Sequence, residues 1–355
     1  MANAGFTNAE IMNTIRDGAS ATYKDNIPPV TGNPTQIGNL ILDDNNVPSV
    51  NEFCDILVNK FCKVAIKSSR VKSRFEFANR GKIPAGMTIE EIFVNRTRNT
   101  TDDTKRVVDF PDTTNNLFTK HKPEIKALYY EMNRSKQYAT NISRIMLARA
   151  FANPENGLNT LINECTNALI KGDAKDEFIF VKNILSNYAG KETAIEGYAT
   201  VTIPDVVAST TYEDKRKNGS AVIEAIRKTV LDLGFNSDKY NGAKVEQEDS
   251  PENLVLFMHK DLAPIVDVYV AANAYNLDKI SWLTNVIYLD DFGNNAHMTK
   301  CKAILCSKDF LNIYDYDRVT TTFFNSKDID ENIYYTVRQG IYCLPTEQAV
   351  AFLTA

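Results

Sequence analysis

A helix-period apolar stripe between residues 155 and 189 constrains the fold more than any other feature of the sequence. Its first half is built from apolar side chains three and four positions apart: Leu158, Leu161, Ile162, Cys165, Ala168 and Leu169. Its second half contains Phe178, Val181, Leu185 and Tyr188. Gly172 and Asp173 interrupt the stripe, and Gly190 is a natural helix stop. The pattern predicts either two helices or one long, bent helix.

Helical and strand-like segments alternate along the rest of the chain. Residues 123–150 have helical spacing through Ile125, Leu128, Tyr129 and Met132, and a further helix is predicted from Ser220 to Leu233. Strand-like runs close the chain: NLVLFM, NVIYLDDF, CKAILC, FLNIYDY, IYYTVRQGIYCL and AVAFLTA. This mixed order predicts an α+β fold.

Residues 61–118 are predicted to be extended. In RVKSRFEF, the side chains of Val71, Ser73, Phe75 and Phe77 alternate with charged ones, which is typical of a half-buried strand. The following stretch, Gly81–Phe93, is predicted to be the tip or elbow of a long β-hairpin. Pro84 restricts the backbone there, and Gly81 and Gly86 permit a bend. Thr88 and Glu91 have capping-box spacing, which predicts one helical turn after the bend.

Residues 1–60 are predicted to be a weakly structured arm with a short helix at either side of its centre. The central stretch KDNIPPVTGNPTQIGN contains three prolines and two glycines, which break regular elements.

Charge is distributed unevenly along the chain, whose net charge is −5. Residues 60–106 contain 12 Lys/Arg and 5 Asp/Glu (12 − 5 = +7), whereas residues 151–355 contain 19 and 29 (19 − 29 = −10). Such segments can complement one another between copies of the chain, although both can also be ordinary solvated faces.

No apolar run approaches the roughly 18 residues of a membrane helix. The polar N-terminus also lacks the apolar core of a signal peptide. We therefore expect a cytoplasmic protein without a membrane partner.

The six cysteines form no C-x-x-C pair, and we expect them to be buried thiols. A zinc site at His297, Cys301 and Cys306 would lack a fourth ligand. Asp290 and Asp291 could hold a metal together with His297, but they are more typical of a turn after a strand.

Enzyme motifs are absent or incomplete. VAIK, HKDLAP and DFG occur in the order found in protein kinases, yet no glycine-rich loop precedes VAIK, and only 62 residues follow Gly293. No Walker A, G-x-S-x-G or H-E-x-x-H motif occurs. We predict no catalytic residue and no cofactor.

Four blocks of the sequence carry a family resemblance. GKIPAGMTIEEIF (Gly81–Phe93) resembles a segment of the major capsid proteins of small short-tailed, protein-primed bacteriophages of the Bacillus type, with the approximate pattern G-x-I-P-x-G-x-T-I-E-E-I. Three more blocks are similar to that family in the same order: Tyr129–Ile142, Asp261–Phe292 and Ala303–Ala355. Some family members carry a further immunoglobulin-like domain, and since this sequence stops at Ala355, we expect no decoration role.

The resemblance implies the Johnson fold, which tailed phages and herpesviruses share. Residues 1–60 would be the N-terminal arm and residues 61–125 the extended loop, which reaches over a neighbouring subunit. Residues 126–199 and 300–355 would form the peripheral domain, with a spine helix at about 155–189. Residues 200–299 would form the axial domain, nearer the capsomer centre.

The resemblance also implies that the extended loop makes the intersubunit contacts. The residues expected there are Arg70, Lys72, Arg74, Phe75, Phe77, Lys82, Ile83, Pro84, Ile89, Glu90, Glu91 and Phe93. The apolar face of Phe75 and Phe77 is expected to be buried on a neighbour, and the basic face is expected to meet acidic surface there.

The implied function is that of a major capsid protein, whose pentamers and hexamers form an icosahedral or prolate head around double-stranded DNA. The implied partners are further copies, a scaffold protein, a portal and non-specifically contacted DNA, with assembly in the host cytoplasm and a final location in the virion. The alternatives are a non-viral nanocompartment shell and a cytoplasmic metal-dependent enzyme.

Overall fold

The computed structural model describes residues 6–68, 74–84, 86–94, 125–153, 155–188, 197–265, 284–293, 295, 298–325, 327 and 330–354. Within these residues, none of the helices has the length and apolar character needed to cross a membrane.

The helices extend over most of the N-terminal region and reappear later in the chain. Those of the N-terminal region are α1 (Asn8–Gly18), α2 (Ala21–Asn26), α3 (Pro34–Ile41), α4 (Val47–Leu57), a π-helical segment (Val58–Cys62) and α5 (Lys63–Ser68). The later helices are α6 (Arg144–Ala152), α7 (Gly157–Tyr188), α8 (Tyr212–Asp232) and α9 (Leu262–Ile265). Short 3₁₀ turns lie at Asp44–Asn46, Glu76–Ala78 and Pro251–Asn253.

The strands lie mainly in the second half of the chain. Before α7 come β1 (Asn79–Lys82), β2 (Ile89–Val94), β3 (Ile125–Tyr130) and β4 (Arg134–Ile142). After it come β5 (Ala199–Ile203), β6 (Leu254–His259), β7 (Asn285–Leu289), β8 (Cys301–Ser307), β9 (Leu311–Asn325), β10 (Asp330–Cys343) and β11 (Ala349–Thr354). Helices and strands in mixed order confirm the α+β prediction.

The strands form two larger sheets and one ribbon. The four-stranded sheet has the order β1-β9-β10-β4, and the five-stranded sheet has the order β5-β11-β8-β6-β7. Strands β2 and β3 form a separate antiparallel ribbon.

Helix α7 joins the two sheets. It is one continuous helix of 32 residues, about 48 Å long at 1.5 Å per residue, which resolves the choice between one helix and two. Its first half packs with β10 and the N-terminal helices, through Leu161, Ile162 and Val337. Its second half packs against the five-stranded sheet through Val181 and Leu185.

The five-stranded sheet is covered on both faces. One face contacts α7, and the other contacts Ile226 and Val230 of α8. The predicted helix between Ser220 and Leu233 is therefore confirmed, although α8 begins eight residues earlier, at Tyr212, where Thr211 caps it.

The expectation that residues 1–60 form a weakly structured arm is wrong. Helices α1 to α4 bury Ile11, Ile15, Phe53 and Leu57 in the same core as the first half of α7. Prolines occupy the first turns of α3 and α4, where a missing backbone N–H costs nothing. The prolines and glycines therefore separate short helices.

Two other local predictions are also wrong. Residues 63–68 are helical and residues 76–78 form a 3₁₀ turn, so these parts of the predicted 61–118 extended region are not strand. Residues 125–130 and 134–142 form strands in place of the predicted helix. The spacing of Ile125, Leu128, Tyr129 and Met132 fits a helix by coincidence, since β3 and β4 both find sheet partners.

A buried ionic network fixes α7 beneath the four-stranded sheet. The guanidinium of Arg134, whose side chain is fully buried, donates to Asp173 Oδ1 at 2.8 Å, and Arg318 Nη1 donates to Asp173 Oδ2 at 2.9 Å. Gln339 accepts a hydrogen bond from Arg134 and donates to Glu177 at 3.0 Å. Strands β4, β9 and β10 are thus each hydrogen-bonded to this one helix.

Candidate assembly surface

The β2–β3 ribbon exposes a largely apolar face. Its register pairs Glu90 with Tyr129, Ile92 with Ala127 and Val94 with Ile125, so these six side chains lie on one side. We call this surface the ribbon face. Ile92 is 60% exposed and Tyr129 is 65% exposed. Tyr129 donates a hydrogen bond to Glu90 across the two strands at 2.9 Å. An exposed apolar face on a two-stranded ribbon is typical of a surface that another molecule covers.

The opposite face anchors the ribbon to its own chain. Tyr130 donates to Glu91 at 2.6 Å, and Thr346 donates to the other oxygen of that carboxylate. The Tyr130 ring lies 4.8 Å from the ring of Tyr342 in β10. Burial and the bond to Glu91 raise the pKa of Tyr130, so the phenol stays protonated and remains a donor. Within this chain, Glu91 therefore holds the ribbon in place.

The bend before the ribbon forms as predicted. Gly81 and Gly86 both have positive φ, at +96° and +86°, where a side chain would strain the backbone. Met87 N donates to Pro84 O at 3.2 Å and closes the turn. However, β1 pairs with β9 and β2 pairs with β3, so the segment Gly81–Phe93 links two sheets and is not the tip of one hairpin. The helical turn predicted after Thr88 does not form, because the residues from Ile89 onward belong to strand β2.

Phe75 lies in the core of its own chain. It is 1% exposed, and its ring stacks on Phe178 of α7 at 5.8 Å and lies 6.2 Å from Phe257 of β6. Phe77, half-buried, lies 6.3 Å from Phe257. The expectation that Phe75 is buried on a neighbour is therefore corrected, because its own chain covers it. For the half-buried Phe77, contact with a neighbour stays a prediction. Arg74, above the Phe178 ring at 5.4 Å, is part of the same anchor.

The other predicted contact residues are distributed around the bend and ribbon. Lys82 and Pro84 are exposed, whereas Ile83, Ile89 and Phe93 are half-buried. Glu90 belongs to the ribbon face. Arg70 and Lys72 lie outside the described residues. For all of these residues, participation in contacts between copies stays a prediction.

The predicted contact residues do not include the five apolar members of the ribbon face, namely Ile92, Val94, Ile125, Ala127 and Tyr129. The available signal was the run of β-branched and aromatic residues in IEEIFV, read together with a second strand at IKALYY. The second strand was not predicted, because residues 123–150 were interpreted as helical.

The acidic pair at the end of β7 is neutralised by a lysine. Lys182 Nζ of α7 lies 2.8 Å from Asp290 Oδ1 and 2.8 Å from Asp291 Oδ2. Burial opposes the charge on Lys182, but the two carboxylates outweigh that effect and raise its pKa. A turn after a strand was the favoured interpretation, and the lysine provides its charge partner. His297 lies outside the described residues.

All six cysteines are buried free thiols, as predicted. Burial raises the pKa of Cys62 and of Cys301 to about 12, so these thiols are poor metal ligands and poor nucleophiles. Among the residues that the structure describes, no group of three or more His, Cys, Asp or Glu side chains is arranged to hold a metal ion.

Comparison with known proteins agrees with this geometry. A family model described as Phi29-like phage major capsid protein matches residues 12–353. The major capsid protein of Bacillus phage B103 is 29% identical over 349 residues, covering 97% of this chain and 72% of that protein. The major capsid protein of Bacillus phage PZA is 28% identical over 351 residues, with coverage of 97% and 72%.

A solved capsid structure shares the fold. The capsid structure of Staphylococcus phage Andhra superposes with a TM-score of 0.57 at 12% identity, covering 82% of this chain and 86% of that one. Since the identity is low, this likeness concerns the fold alone. It confirms the tailed-phage shell fold, or Johnson fold, that the resemblance implies.

Proposed function

This chain belongs to the Phi29-like phage major capsid protein family and is the major capsid protein of a tailed bacteriophage, and we propose that its copies close into pentamers and hexamers by covering one another's ribbon faces. The observation that carries this proposal is the exposure of Ile92, Val94, Ile125 and Tyr129 on a ribbon whose other face is already anchored. So much apolar surface exposed on one ribbon is typical of a surface that a partner covers.

Such a contact is heterologous, because the ribbon face of one copy meets a different surface of the next. Heterologous contacts generate closed rings when the rotation between copies closes. Each contact need not be large, because a shell subunit makes many contacts at once and the shell gains stability by multivalency.

The domain assignment follows the same proposal. The ribbon belongs to the extended loop, and α7 is the spine helix of the peripheral domain. The five-stranded sheet and α8 supply most of the axial domain, which moves β8 and β11 there from the peripheral domain expected for residues 300–355. The N-terminal helices, which pack on α7, extend the peripheral domain and take the place of the expected free arm.

Further partners are proposed from the chemistry of a capsid. Double-stranded DNA is contacted without sequence preference, and the net charge of −5 disfavours tight wrapping. A scaffold protein and a portal act during assembly, which takes place in the host cytoplasm, and the mature location is the virion capsid.

Membership of a structural capsid family implies a role without catalysis. It also supports the phage head over a non-viral nanocompartment. The two shells differ in content, since a phage head encloses DNA and a nanocompartment encloses cargo protein.

The test is assembly of the whole chain, with and without a candidate scaffold protein, measured by size exclusion with light scattering and by negative-stain microscopy. Ile92→Asp on the ribbon face should abolish shells while the subunit stays folded. Ile145→Asp is the matched control, because Ile145 is 66% exposed on α6, away from the ribbon, and its shells should be normal. Normal shells from the Ile92 variant would contradict the proposal.

A further inference from the structure

Four side chains with acceptor oxygens meet at one end of the five-stranded sheet, on the face that contacts α8. Two of them, Glu347 and Gln348, lie in the turn that precedes β11. Ser307, the last residue of β8, donates its backbone N–H to Gln348 O at 3.0 Å, so these two residues are cross-strand neighbours. Their side chains share a face with Leu305 and Val350, which pack with α8, because alternate residues of a strand point the same way.

The other two side chains, Gln247 and Asp249, come from the segment that follows α8. Asp249 N donates to Leu233 O at 2.9 Å, so this segment is fixed to the C-terminal end of α8. Gln348 Nε2 donates to Gln247 O at 2.9 Å and joins the segment to the sheet.

Hydrogen bonds bring the two carboxylates to the same place. Ser307 is hydrogen-bonded to Asp249 and to Glu347, and Gln247 is hydrogen-bonded to Glu347. With the bond from Gln348 to the backbone of Gln247, these contacts connect all four side chains. We call Gln247, Asp249, Glu347 and Gln348 the oxygen cluster.

Three buried oxygens of this cluster have no donor. Among the residues that the structure describes, Gln247 Oε1, Asp249 Oδ2 and Gln348 Oε1 have no hydrogen-bond partner. Gln348 is 0% exposed, and its amide orientation is fixed because its nitrogen bonds Gln247 O. Buried polar groups are nearly always paired, so three unpaired oxygens in one cluster indicate a ligand that attracts oxygen.

The charge of the cluster indicates the same kind of ligand. Burial raises the pKa of Asp249 to about 6, and burial together with the charge of Asp249 raises the pKa of Glu347. No lysine or arginine in the described part of the chain pairs with either carboxylate, whereas the nearby Asp309 pairs with Arg80. A bound cation would supply the charge that these two carboxylates lack.

We propose that the oxygen cluster binds a divalent cation, of which Ca²⁺ fits best. Ca²⁺ takes six to eight oxygen ligands from carboxylates, amide carbonyls and water, and it tolerates irregular geometry. Mg²⁺ requires a near-ideal octahedron and keeps several waters, which suits a buried set of four side chains less well. Two carboxylates balance the charge of one such ion, and the unpaired amide oxygens gain a partner.

This site is separate from the metal sites considered from the sequence. It shares no residue with the group of Asp290, Asp291 and His297. Only two of its members are carboxylates, so it is consistent with the lack of any suitable group of three or more His, Cys, Asp or Glu among the described residues. Its oxygen ligands fit a hard cation, whereas zinc sites use mainly nitrogen and sulfur.

A cation at this position would connect three parts of the fold: the segment after α8, the end of β8 and the turn before β11. An ion that binds the folded chain and not the unfolded one stabilises the fold by mass action. The inference concerns a single chain and therefore does not depend on the proposed function.

The experiment uses the unassembled full-length chain after treatment with a chelator and dialysis. Calcium chloride is titrated into it by isothermal titration calorimetry, and magnesium chloride is titrated in parallel. We expect one Ca²⁺ per chain with a dissociation constant on the order of 10⁻⁴–10⁻³ M, the range of the weaker protein sites, and weaker binding of Mg²⁺. Calcium at about tenfold to a hundredfold above that constant should raise the midpoint of thermal unfolding by roughly 2–6 °C, compared with sodium chloride at equal ionic strength.

Two variants remove one charge each and keep the shape of the side chain. Asp249→Asn and Glu347→Gln should each lower calcium affinity at least tenfold and abolish the thermal shift. Without calcium, both should unfold at or above the midpoint of the original chain, because a neutral group is easier to bury than an uncompensated carboxylate. Glu248→Gln is the matched control, since Glu248 lies in the same segment and is exposed, and its calcium binding should be normal.

The titration of the original chain tests the inference even if a variant fails to fold. No calcium binding to that chain would overturn the inference and would mean that water pairs the buried oxygens. Equal calcium affinity in Asp249→Asn, Glu347→Gln and Glu248→Gln would place the ion elsewhere and would also overturn it.

Discussion

Phe75→Ala should destabilise the isolated subunit by about 3–5 kcal/mol, the usual cost of truncating a buried phenylalanine. The side chain is 1% exposed, so nearly all of its apolar area is lost from the core. Its stacked contact with Phe178 and its tilted contact with Phe257 are lost as well. Since a domain is typically stable by about 5–15 kcal/mol, this is a large fraction of the total.

Urea unfolding of the unassembled subunit, followed by far-ultraviolet circular dichroism, measures this change. Ile92→Thr is the comparison, because Ile92 is 60% exposed and an exposed substitution usually changes stability by no more than about 0.5 kcal/mol. The Phe75→Ala subunit should be less stable than the original subunit even when it is unassembled. The Ile92→Thr subunit should have nearly normal stability but should not form shells. Unchanged unfolding of Phe75→Ala, with loss of shells, would refute the core assignment and restore Phe75 as an intersubunit contact.

Three further predictions concern buried and paired polar groups. Glu331→Gln should stabilise the chain above pH 7 and leave its stability unchanged below pH 4.5. Burial, with a contribution from Asp55, raises the pKa of Glu331 to about 7 and makes its ionised form unfavourable in the folded state. Thermal unfolding of both chains across this pH range measures the difference, and parallel pH profiles would contradict the prediction. Asn8→Ala should cost about 1–3 kcal/mol in urea unfolding, since Asn8 Oδ1 accepts from the first turn of α7 at 2.9 Å and Asn8 Nδ2 donates to the carbonyls of Ala150, in the last turn of α6, and Asn153, just after it. An unchanged midpoint would mean that water replaces the cap. Alanine at both Asp290 and Asp291 removes the charge partners of Lys182 but should not abolish shells, because the two carboxylates pair with a lysine of their own chain and not with a metal. Loss of shells together with loss of a stoichiometric bound metal, measured by elemental analysis, would revive the metal-site hypothesis.

The parts of the fold that sequence periodicity predicted well are those in which one segment decides its own structure. The stripe from Leu158 to Tyr188 is long enough that a helix is the only arrangement that buries it. The six closing strands, from Leu254 to Thr354, combine β-branched and aromatic residues with turn signals between them. Both sets appear in the structure, although β9 continues to Asn325, nine residues beyond the predicted run FLNIYDY.

The errors arise where tertiary partners decide. Residues 125–142 form strands because β2 and β10 provide backbone partners, and no local spacing shows those partners. Phe75 alternates with charged neighbours as in a strand, yet it is buried because α7 presents Phe178 to it. Pro34 and Pro48 stand in the first turns of α3 and α4. Their compatibility with helix is evident only once the start of each helix is known.

The site was only partly predictable for a related reason. The bend within Gly81–Phe93 was predictable because its glycines and proline specify it, and both glycines do have positive φ. Which ribbon face is free depends on Glu91 and Tyr130, which are hydrogen-bonded to each other and contact Thr346 and Tyr342. The contacts with Thr346 and Tyr342 join residues about 210–255 positions apart. Alternation indicates that a strand has two faces, but only those long-range contacts show which face the chain itself covers.

Under the proposed function, the same arrangement prepares the ribbon face of a single chain for contact with its copies. If both ribbon faces packed within the chain, no apolar surface would remain for a neighbour; if neither did, a two-stranded ribbon would be marginal in water. Anchoring the Glu91 face fixes the position of the ribbon and leaves the Ile92 face oriented before any neighbour arrives. A pre-oriented surface loses less conformational freedom on binding, so more of its apolar burial contributes to association. Mutations that loosen the anchor, such as Glu91→Ala, should therefore weaken assembly without touching the contact itself, and shells of that variant at wild-type yield would show that the neighbour, and not the chain, orients the ribbon.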